Sequence, residues 1–151
     1  MPSLVPGKAN FSGMDHSKII LMGQDDATFL GYGWFGVERS PEDVLFRAAG
    51  KQAIFRLPLT ADRVELAFLA AARPLHAGEP LQFGINRDGE RLITWTLHTN
   101  GWTVRCGVIE RYSGEDLMLE ADNPWSPDKL YQNGDSRLLS VLVSSIRVSF
   151  V

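Results

Sequence analysis

Residues 64–108 carry the pattern that decides the fold: they read VELAFLA at 64–70, LQFGINRDGERLITWTL at 81–97 and WTVRCGV at 102–108. Apolar and polar side chains alternate along these runs, which is typical of β-strands that bury one face. Asp88-Gly89 and Asn100-Gly101 separate consecutive runs, and such dipeptides favour tight hairpin turns. The segment therefore predicts four consecutive strands with hairpin connections, and it places Cys106 on the inward face of the fourth.

The rest of the chain predicts a single all-β domain. Short apolar runs bounded by glycine and proline predict further strands at residues 18–22, 44–48, 52–59, 116–121 and 137–151. In the last run the inward positions change phase at Ser144-Ser145, which predicts a β-bulge. Residues 1–17 are predicted to be an irregular arm, and residues 122–136 a long polar loop. Because no run indicates a helix of substantial length, residues 18–151 predict an antiparallel β-sandwich of the jelly-roll kind, with a closed barrel as the alternative.

The composition is that of an ordinary soluble globular domain. The 151 residues are 44% hydrophobic and 22% charged, with a net charge of −3 and no basic stripe, so nucleic acid is a poor candidate partner. The single cysteine excludes an intrachain disulfide and is typical of a reducing compartment. No apolar run has the length of a membrane span, and the N-terminus lacks the apolar core of a signal peptide. We therefore expect a cytoplasmic location.

Several short motifs occur in order along the chain: Gly33-Trp34-Phe35, residues 52–59, Asn123-Pro124-Trp125-Ser126-Pro127 and Asp135-Ser136-Arg137-Leu138-Leu139. Together they resemble the accessory β-sandwich, galactose-binding-like in fold, that is attached to many bacterial glycosyltransferases of surface-polysaccharide biosynthesis. That family has an Asp-x-Arg-x-Leu-Gly motif before the last strand, and this chain has Ser140 in place of the glycine. It also has Arg47-Ala48 where Arg-Trp is common. The resemblance implies a non-catalytic carbohydrate-binding or accessory domain, with a glycan or a glycosyltransferase domain as its partner.

Carbohydrate recognition needs aromatic faces for sugar C–H surfaces and planar polar groups for paired hydroxyls. The candidate ligand-binding residues are Trp34, Glu38, Arg47, Asn123, Trp125, Asp128 and Tyr131. The alternative for Trp34 and Trp125 is that they plug the ends of the sandwich, with each indole hydrogen-bonded to the backbone. Trp95 and Trp102 lie in periodic strands, and we expect them in the core.

The sequence predicts no cofactor and no catalytic site. Oxygen ligands for a loop calcium are present at Asp122, Asn123, Asp128 and Asp135, although ordinary turn chemistry explains these residues equally well. Glu38 with Asp122, or Glu110 with Glu120, would be the carboxylate pairs of a glycoside hydrolase. Asp135 and Arg137 are expected to brace the polar loop as an ion pair.

Three functions remain open at this point. The first is the carbohydrate-binding or accessory domain. The second is a protein-interaction module without a glycan ligand, which includes self-association as a homo-oligomer, with aromatic side chains as hot spots. The third is a glycan-active enzyme, for which no sequence motif argues.

Overall fold

The structure, a computed structural model, describes residues 17–72 and 79–150, and at Leu130 and Tyr131 only the backbone. Of the arm predicted at residues 1–17, only Ser17 falls within the described residues. The elements are β1 (Ser17–Leu21), β2 (Trp34–Arg39), β3 (Leu45–Ala49), β4 (Gln52–Phe55), β5 (Ala61–Ala71), β6 (Leu81–Arg87), β7 (Glu90–Leu97), β8 (Thr103–Tyr112), β9 (Leu117–Ala121), α1 (Pro127–Tyr131) and β10 (Leu142–Phe150). Within these residues no helix is long and apolar enough to span a bilayer.

Two antiparallel sheets form a sandwich, as the sequence predicts. The first sheet has the order β2-β3-β10-β5-β8, and β1 also pairs with β10; the second sheet has the order β4-β9-β6-β7. From β3 onward, consecutive strands alternate between the sheets except at β6 and β7. This is the strand order of a jelly roll.

Only one of the two expected hairpins forms. Asp88 and Gly89 adopt positive φ angles of 51° and 80° and join β6 to β7 in the second sheet, as a type I′ turn requires. The Asn100-Gly101 connection instead leads from β7 in the second sheet to β8 in the first. The hairpin expected there is therefore wrong, because the chain crosses the sandwich at this point.

The inward face of β8 is also the opposite of the predicted one. Cys106, expected to point inward, pairs with Ala67 and is exposed. The buried residues of β5 pair instead with the alternate positions of β8: Val64 with Ile109, Leu66 with Gly107 and Phe68 with Arg105. A Cβ on Gly107 would lie 2.6 Å from Ile93 Cδ1 and 3.2 Å from Trp95 Cζ2. Because side chains from β7 fill the space above Gly107, the apolar face of β8 points outward.

The bulge expected at Ser144-Ser145 is confirmed. The pairing of β10 with β5 shifts register between Val143 and Ser145. On its other edge, β10 pairs with β3 at Leu142 and Val143 and with β1 from Ser145 onward. The bulge thus lets one strand change neighbours while its buried side chains stay on the inner face.

The last strand, β10, begins at Leu142 rather than at residue 137, because Leu139 forms an isolated bridge with Trp125.

The main core lies between the two sheets and the smaller core on the outer face of the first. Trp95, 7% exposed and in the main core as expected, packs with its ring centroid 5.2 Å from that of Phe68 and 5.5 Å from that of Phe83. Full burial of one such side chain contributes about 1.5–3 kcal/mol. The smaller core comprises Phe46, Ala48, Ala71, Leu139 and Leu142, with Phe35, Trp102 and Trp125 packed against them. The segment after β9 therefore covers part of the first sheet.

Candidate functional site

The glycine-aromatic segment, residues 30–38, crosses the edge of the sandwich. Leu30 bridges Phe55 at the edge of the second sheet, and Tyr32 O accepts a 2.9 Å hydrogen bond from Ile54 N. Trp34 already pairs with Ala49 in the first sheet. Gly33 makes this crossing possible: its φ is 96°, and a Cβ there would lie 2.0 Å from Gln52 O.

The three aromatic rings of this segment have different surroundings. Tyr32 is 67% exposed. Trp34 packs against the main core and donates its indole N–H to Ile54 O at 2.8 Å, the arrangement expected of a structural tryptophan. Phe35 packs against the smaller core. Sequence periodicity does not distinguish these rings, because the segment is irregular.

Arg47 is held by a buried carboxylate. Its Nε lies 2.6 Å from Asp26 Oδ2, and its Nη1 donates to Phe35 O at 3.1 Å. The Asp26 side chain is only 4% exposed. Burial alone raises the pKa of Asp26, but the Arg47 hydrogen bond, the Gly23 N–H and the Arg47 charge together lower that pKa below its ordinary value. Arg47 thus fastens the turn after β1 to β3.

Asn123 and Asp128 hold loop backbone. Asn123 accepts a hydrogen bond from Gln82 N and donates one to Pro80 O, both at 2.9 Å. Asp128 accepts the Gly134 N–H at 2.6 Å. For Tyr131 the side chain lies outside the described part of the structure. Asn123 thus ties the segment after β9 to the start of β6, and Asp128 closes a turn within that segment.

Glu38 and Trp125 line one pocket of about 280 Å³, which we call the Trp125 pocket. Its lining comprises Glu38, Arg39, Ser40, Pro41, Phe46, Ala48, Trp125, Pro127, Arg137, Leu139 and Leu142. Trp125 is fixed by its backbone bridge to Leu139 and by an indole N–H donated to Ser140 O at 3.1 Å, so the backbone hydrogen bond expected in the structural alternative is present at Trp125 as it is at Trp34. Of the six predicted site residues whose side chains the structure describes, it thus brings Glu38 and Trp125 together in this pocket.

Arg137 organises the charged rim of this pocket. It donates to both carboxylate oxygens of Asp135, at 2.8 and 2.6 Å, so the ion pair expected between them is present. It also donates to Glu38 Oε2 at 3.1 Å, and its guanidinium carbon lies 5.3 Å from the centroid of the Phe35 ring. The hydrogen bond from Arg137 holds the pKa of Asp135 below its ordinary value. The Asp-x-Arg motif was the sequence signal for this rim.

The expected oxygen ligands of a loop calcium have protein partners. Asp122 accepts a hydrogen bond from Arg91 at 2.9 Å, and Asp135 is held by Arg137 as above. Within residues 17–72 and 79–150 there is no group of three or more His, Cys, Asp or Glu side chains that would hold a metal ion.

The carboxylates considered for hydrolysis also have cationic partners. Glu110 pairs with Arg63 in the first sheet, whereas Glu120 lies in the second sheet near Arg91. Glu38 pairs with Arg137.

Neither a protein family nor a curated protein matches the sequence. Among solved structures, the chain is similar to part of an isomalto-dextranase from Arthrobacter globiformis T6 complexed with panose, at 12% identity and a TM-score of 0.48, covering 88% of this chain and 23% of that one. It is also similar to BiXyn10A CBM1 in its apo form, at 11% identity and a TM-score of 0.44, covering 89% and 97% of the two chains. A third similar structure is the M60 catalytic domain with two CBM51 domains of Clostridium perfringens ZmpB, at 9% identity and a TM-score of 0.46, covering 89% of this chain and 15% of that one. Likenesses of this degree assign neither a family nor a function to the chain.

Proposed function

We propose that this chain is a non-catalytic carbohydrate-binding domain and that the Trp125 pocket is its sugar site. The observation that carries the proposal is the pairing, in one pocket, of an indole with an ion-paired carboxylate and guanidinium. The indole offers an apolar face to sugar C–H groups. Glu38 accepts and Arg137 donates hydrogen bonds, which is the combination that vicinal hydroxyls require.

The size and rigidity of the pocket support a small ligand. Small-molecule pockets run from about 300 to 1,000 Å³. The Trp125 pocket has a volume of about 280 Å³, just below this range, so we expect it to hold a ligand no larger than a single sugar ring. Trp125 is held at its backbone and at its indole, and Arg137 is held by Asp135. Side chains that are already ordered lose little conformational entropy when they bind a ligand.

The finer part of the proposal follows the sequence resemblance. The domain would serve as an accessory to a bacterial glycosyltransferase of surface-polysaccharide biosynthesis, in the cytoplasm. Its ligand would then be the polysaccharide or an oligosaccharide part of it. Copurification of this chain with a glycosyltransferase domain from the same organism tests this part separately.

We expect Trp125→Ala to lower the affinity for the best oligosaccharide of a broad panel at least tenfold, or about 1.4 kcal/mol, in isothermal titration calorimetry. Glu38→Gln keeps the shape of the pocket and should weaken binding several-fold. Its matched control is Glu110→Gln, since Glu110 also forms an exposed ion pair with an arginine but lies outside the pocket. That control should bind like wild type.

A protein-interaction module is the second candidate, and an apolar strip on the outer face of the first sheet favours it. Val104 is 55% exposed, and Cys106 on the same face of β8 is exposed as well. If no glycan binds and Trp125→Ala changes only the oligomeric state seen by sedimentation, this candidate replaces the first.

A further inference from the structure

A second pocket opens at the edge of the second sheet, and we call it the Tyr32 cleft. It has a volume of about 320 Å³, and the residues that matter for its chemistry are Phe29, Tyr32, Ile54, Arg56 and Asp116. It shares no lining residue with the Trp125 pocket. The two pockets also lie on different sheets. Ile54, in the lining of the Tyr32 cleft, belongs to β4 of the second sheet, whereas β3 and β10 of the first sheet form the floor of the Trp125 pocket.

Tyr32 is exposed although its backbone is firmly held. At 67% it has the highest exposure among the large hydrophobic side chains in the described ranges. Gly31 N donates to Ile54 O at 2.7 Å, and Ile54 N donates to Tyr32 O at 2.9 Å. An aromatic ring on an ordered backbone provides contact area at a low entropic cost, because only two side-chain torsions remain to be fixed.

Gly31 lets this backbone lie close to the sheet. A Cβ on Gly31 would lie 3.0 Å from Ile54 Cβ, so a larger residue would push the segment away from β4. Arg56 N in turn donates to Phe29 O at 2.7 Å. The wall of the cleft is therefore an ordered part of the fold.

A charged pair, Arg56 with Asp116, also lines this cleft. Arg56 Nε donates to Asp116 Oδ1 at 2.6 Å, and the two side chains are 61% and 55% exposed. An ion pair this exposed contributes little to stability, yet it presents a donor and an acceptor side by side. A planar guanidinium beside a carboxylate can bond two adjacent hydroxyl groups at once.

We propose that the Tyr32 cleft is a second binding site for a sugar ring, which stacks on Tyr32 while adjacent hydroxyls bond Arg56 and Asp116. The ligand class rests on the proposed function, whereas the site is separate. One chain would then hold two sugar units at different places on its surface. Two linked sites raise the apparent affinity for a polysaccharide above that for a short oligosaccharide.

The test is a titration of the full chain with trisaccharides of glucose, xylose, galactose and N-acetylglucosamine, followed by calorimetry and by amide NMR shifts. We expect two sites per chain for a trisaccharide that binds. Tyr32→Ala should remove one site, and Tyr32→Phe should keep both. Arg56→Gln should weaken the second site at least fivefold, and Arg63→Gln, in the comparably exposed pair with Glu110, should not.

The outcomes separate this inference from the proposed function. One site that is weakened several-fold in Glu38→Gln and unchanged in Tyr32→Ala overturns the inference and leaves the proposed function standing. One site that is lost in Tyr32→Ala and unchanged in Glu38→Gln supports the cleft and overturns the Trp125 pocket. Absence of binding to all four trisaccharides at millimolar concentration counts against both. Melting temperatures of the variants show whether a loss reflects unfolding, which we do not expect for the exposed Tyr32 and Arg56.

Discussion

At the scale of single residues, the polar side chains divide into those that hold the fold and those that face a pocket. Arg47 belongs to the first group because it neutralises Asp26, which is almost fully buried. Glu38 and Arg137 belong to the second, since their ion pair is partly exposed at the rim of the Trp125 pocket. The buried carboxylate of Asp26 needs the Arg47 guanidinium as its partner, because an unpaired charge in the interior is costly.

Asp26→Asn should lower the free energy of unfolding at pH 7 by about 3 kcal/mol, because it leaves Arg47 without its buried partner. Since the pKa of Asp26 is lowered in the folded state, the stabilisation is fully present above the unfolded pKa of about 3.9 and is lost as the pH falls through the folded pKa. Urea unfolding from pH 7 down to pH 3 measures this, and the difference between wild type and variant should shrink below about pH 4.

The control for this prediction is Asp43→Asn. Asp43 pairs with Arg39, but its side chain is 79% exposed, so we expect a change below about 1 kcal/mol at every pH. An Asp26→Asn effect that stays constant down to pH 3 would contradict the assignment.

At the scale of elements, the glycine-aromatic segment links the two candidate sites. Its first half adds backbone hydrogen bonds to β4 and lines the Tyr32 cleft. After Gly33 it becomes β2, whose Glu38 lines the Trp125 pocket. One irregular stretch therefore supplies residues to both pockets, because a jelly roll places its β2 and β4 neighbourhoods at the same edge of the sandwich.

Gly33→Ala should destabilise the fold by at least about 3 kcal/mol, since the left-handed backbone alone costs roughly 1–3 kcal/mol for other residues. The new Cβ would also collide with Gln52 O. Gly36→Ala is the matched control, because a Cβ there has no neighbour within 4 Å, and we expect a change of less than about 1 kcal/mol. Urea unfolding at pH 7 compares the two, and equal effects would disprove the role of Gly33.

At the scale of the whole molecule, the two sheets are joined by hydrogen bonds as well as by apolar packing. Trp95 of β7 donates its indole N–H to Cys106 O of β8 at 2.9 Å. The buried Tyr112 hydroxyl of β8 accepts the N–H of Leu57, just after β4, at 3.0 Å and donates to Glu115 O at 2.9 Å. Burial raises the pKa of Tyr112. These bonds therefore connect the two sheets at two places.

We expect the described domain to unfold in one cooperative step. The floor of the smaller core lies on β3, β5 and β10, which also contribute to the main core, so neither core can lose its strands alone. Urea transitions followed by tryptophan fluorescence and by far-ultraviolet circular dichroism should coincide. An earlier fluorescence transition in wild type that disappears in Trp125→Phe would show that the segment between β9 and β10, which carries Trp125, detaches from the first sheet before the rest unfolds.

Local sequence determined what depends on neighbouring residues. Alternating side chains predicted most of the strands but not β2, Asp88-Gly89 predicted the hairpin between β6 and β7, and the phase change at Ser144-Ser145 predicted the bulge. These features follow from steric preferences and periodicity within a few residues. The residues chosen for carbohydrate chemistry included Glu38 and Trp125, which share a pocket.

Only the tertiary structure decided which of these residues meet. Arg47 is bound to Asp26, 21 positions away. Trp34 is partly buried against the main core, whereas Tyr32 stays exposed. Gly107 lies on the inward face of β8 because the side chains of Ile93 and Trp95, from the other sheet, fill the space above it. Such choices depend on the packing of segments far apart in the chain, and this packing has no signature in the local pattern.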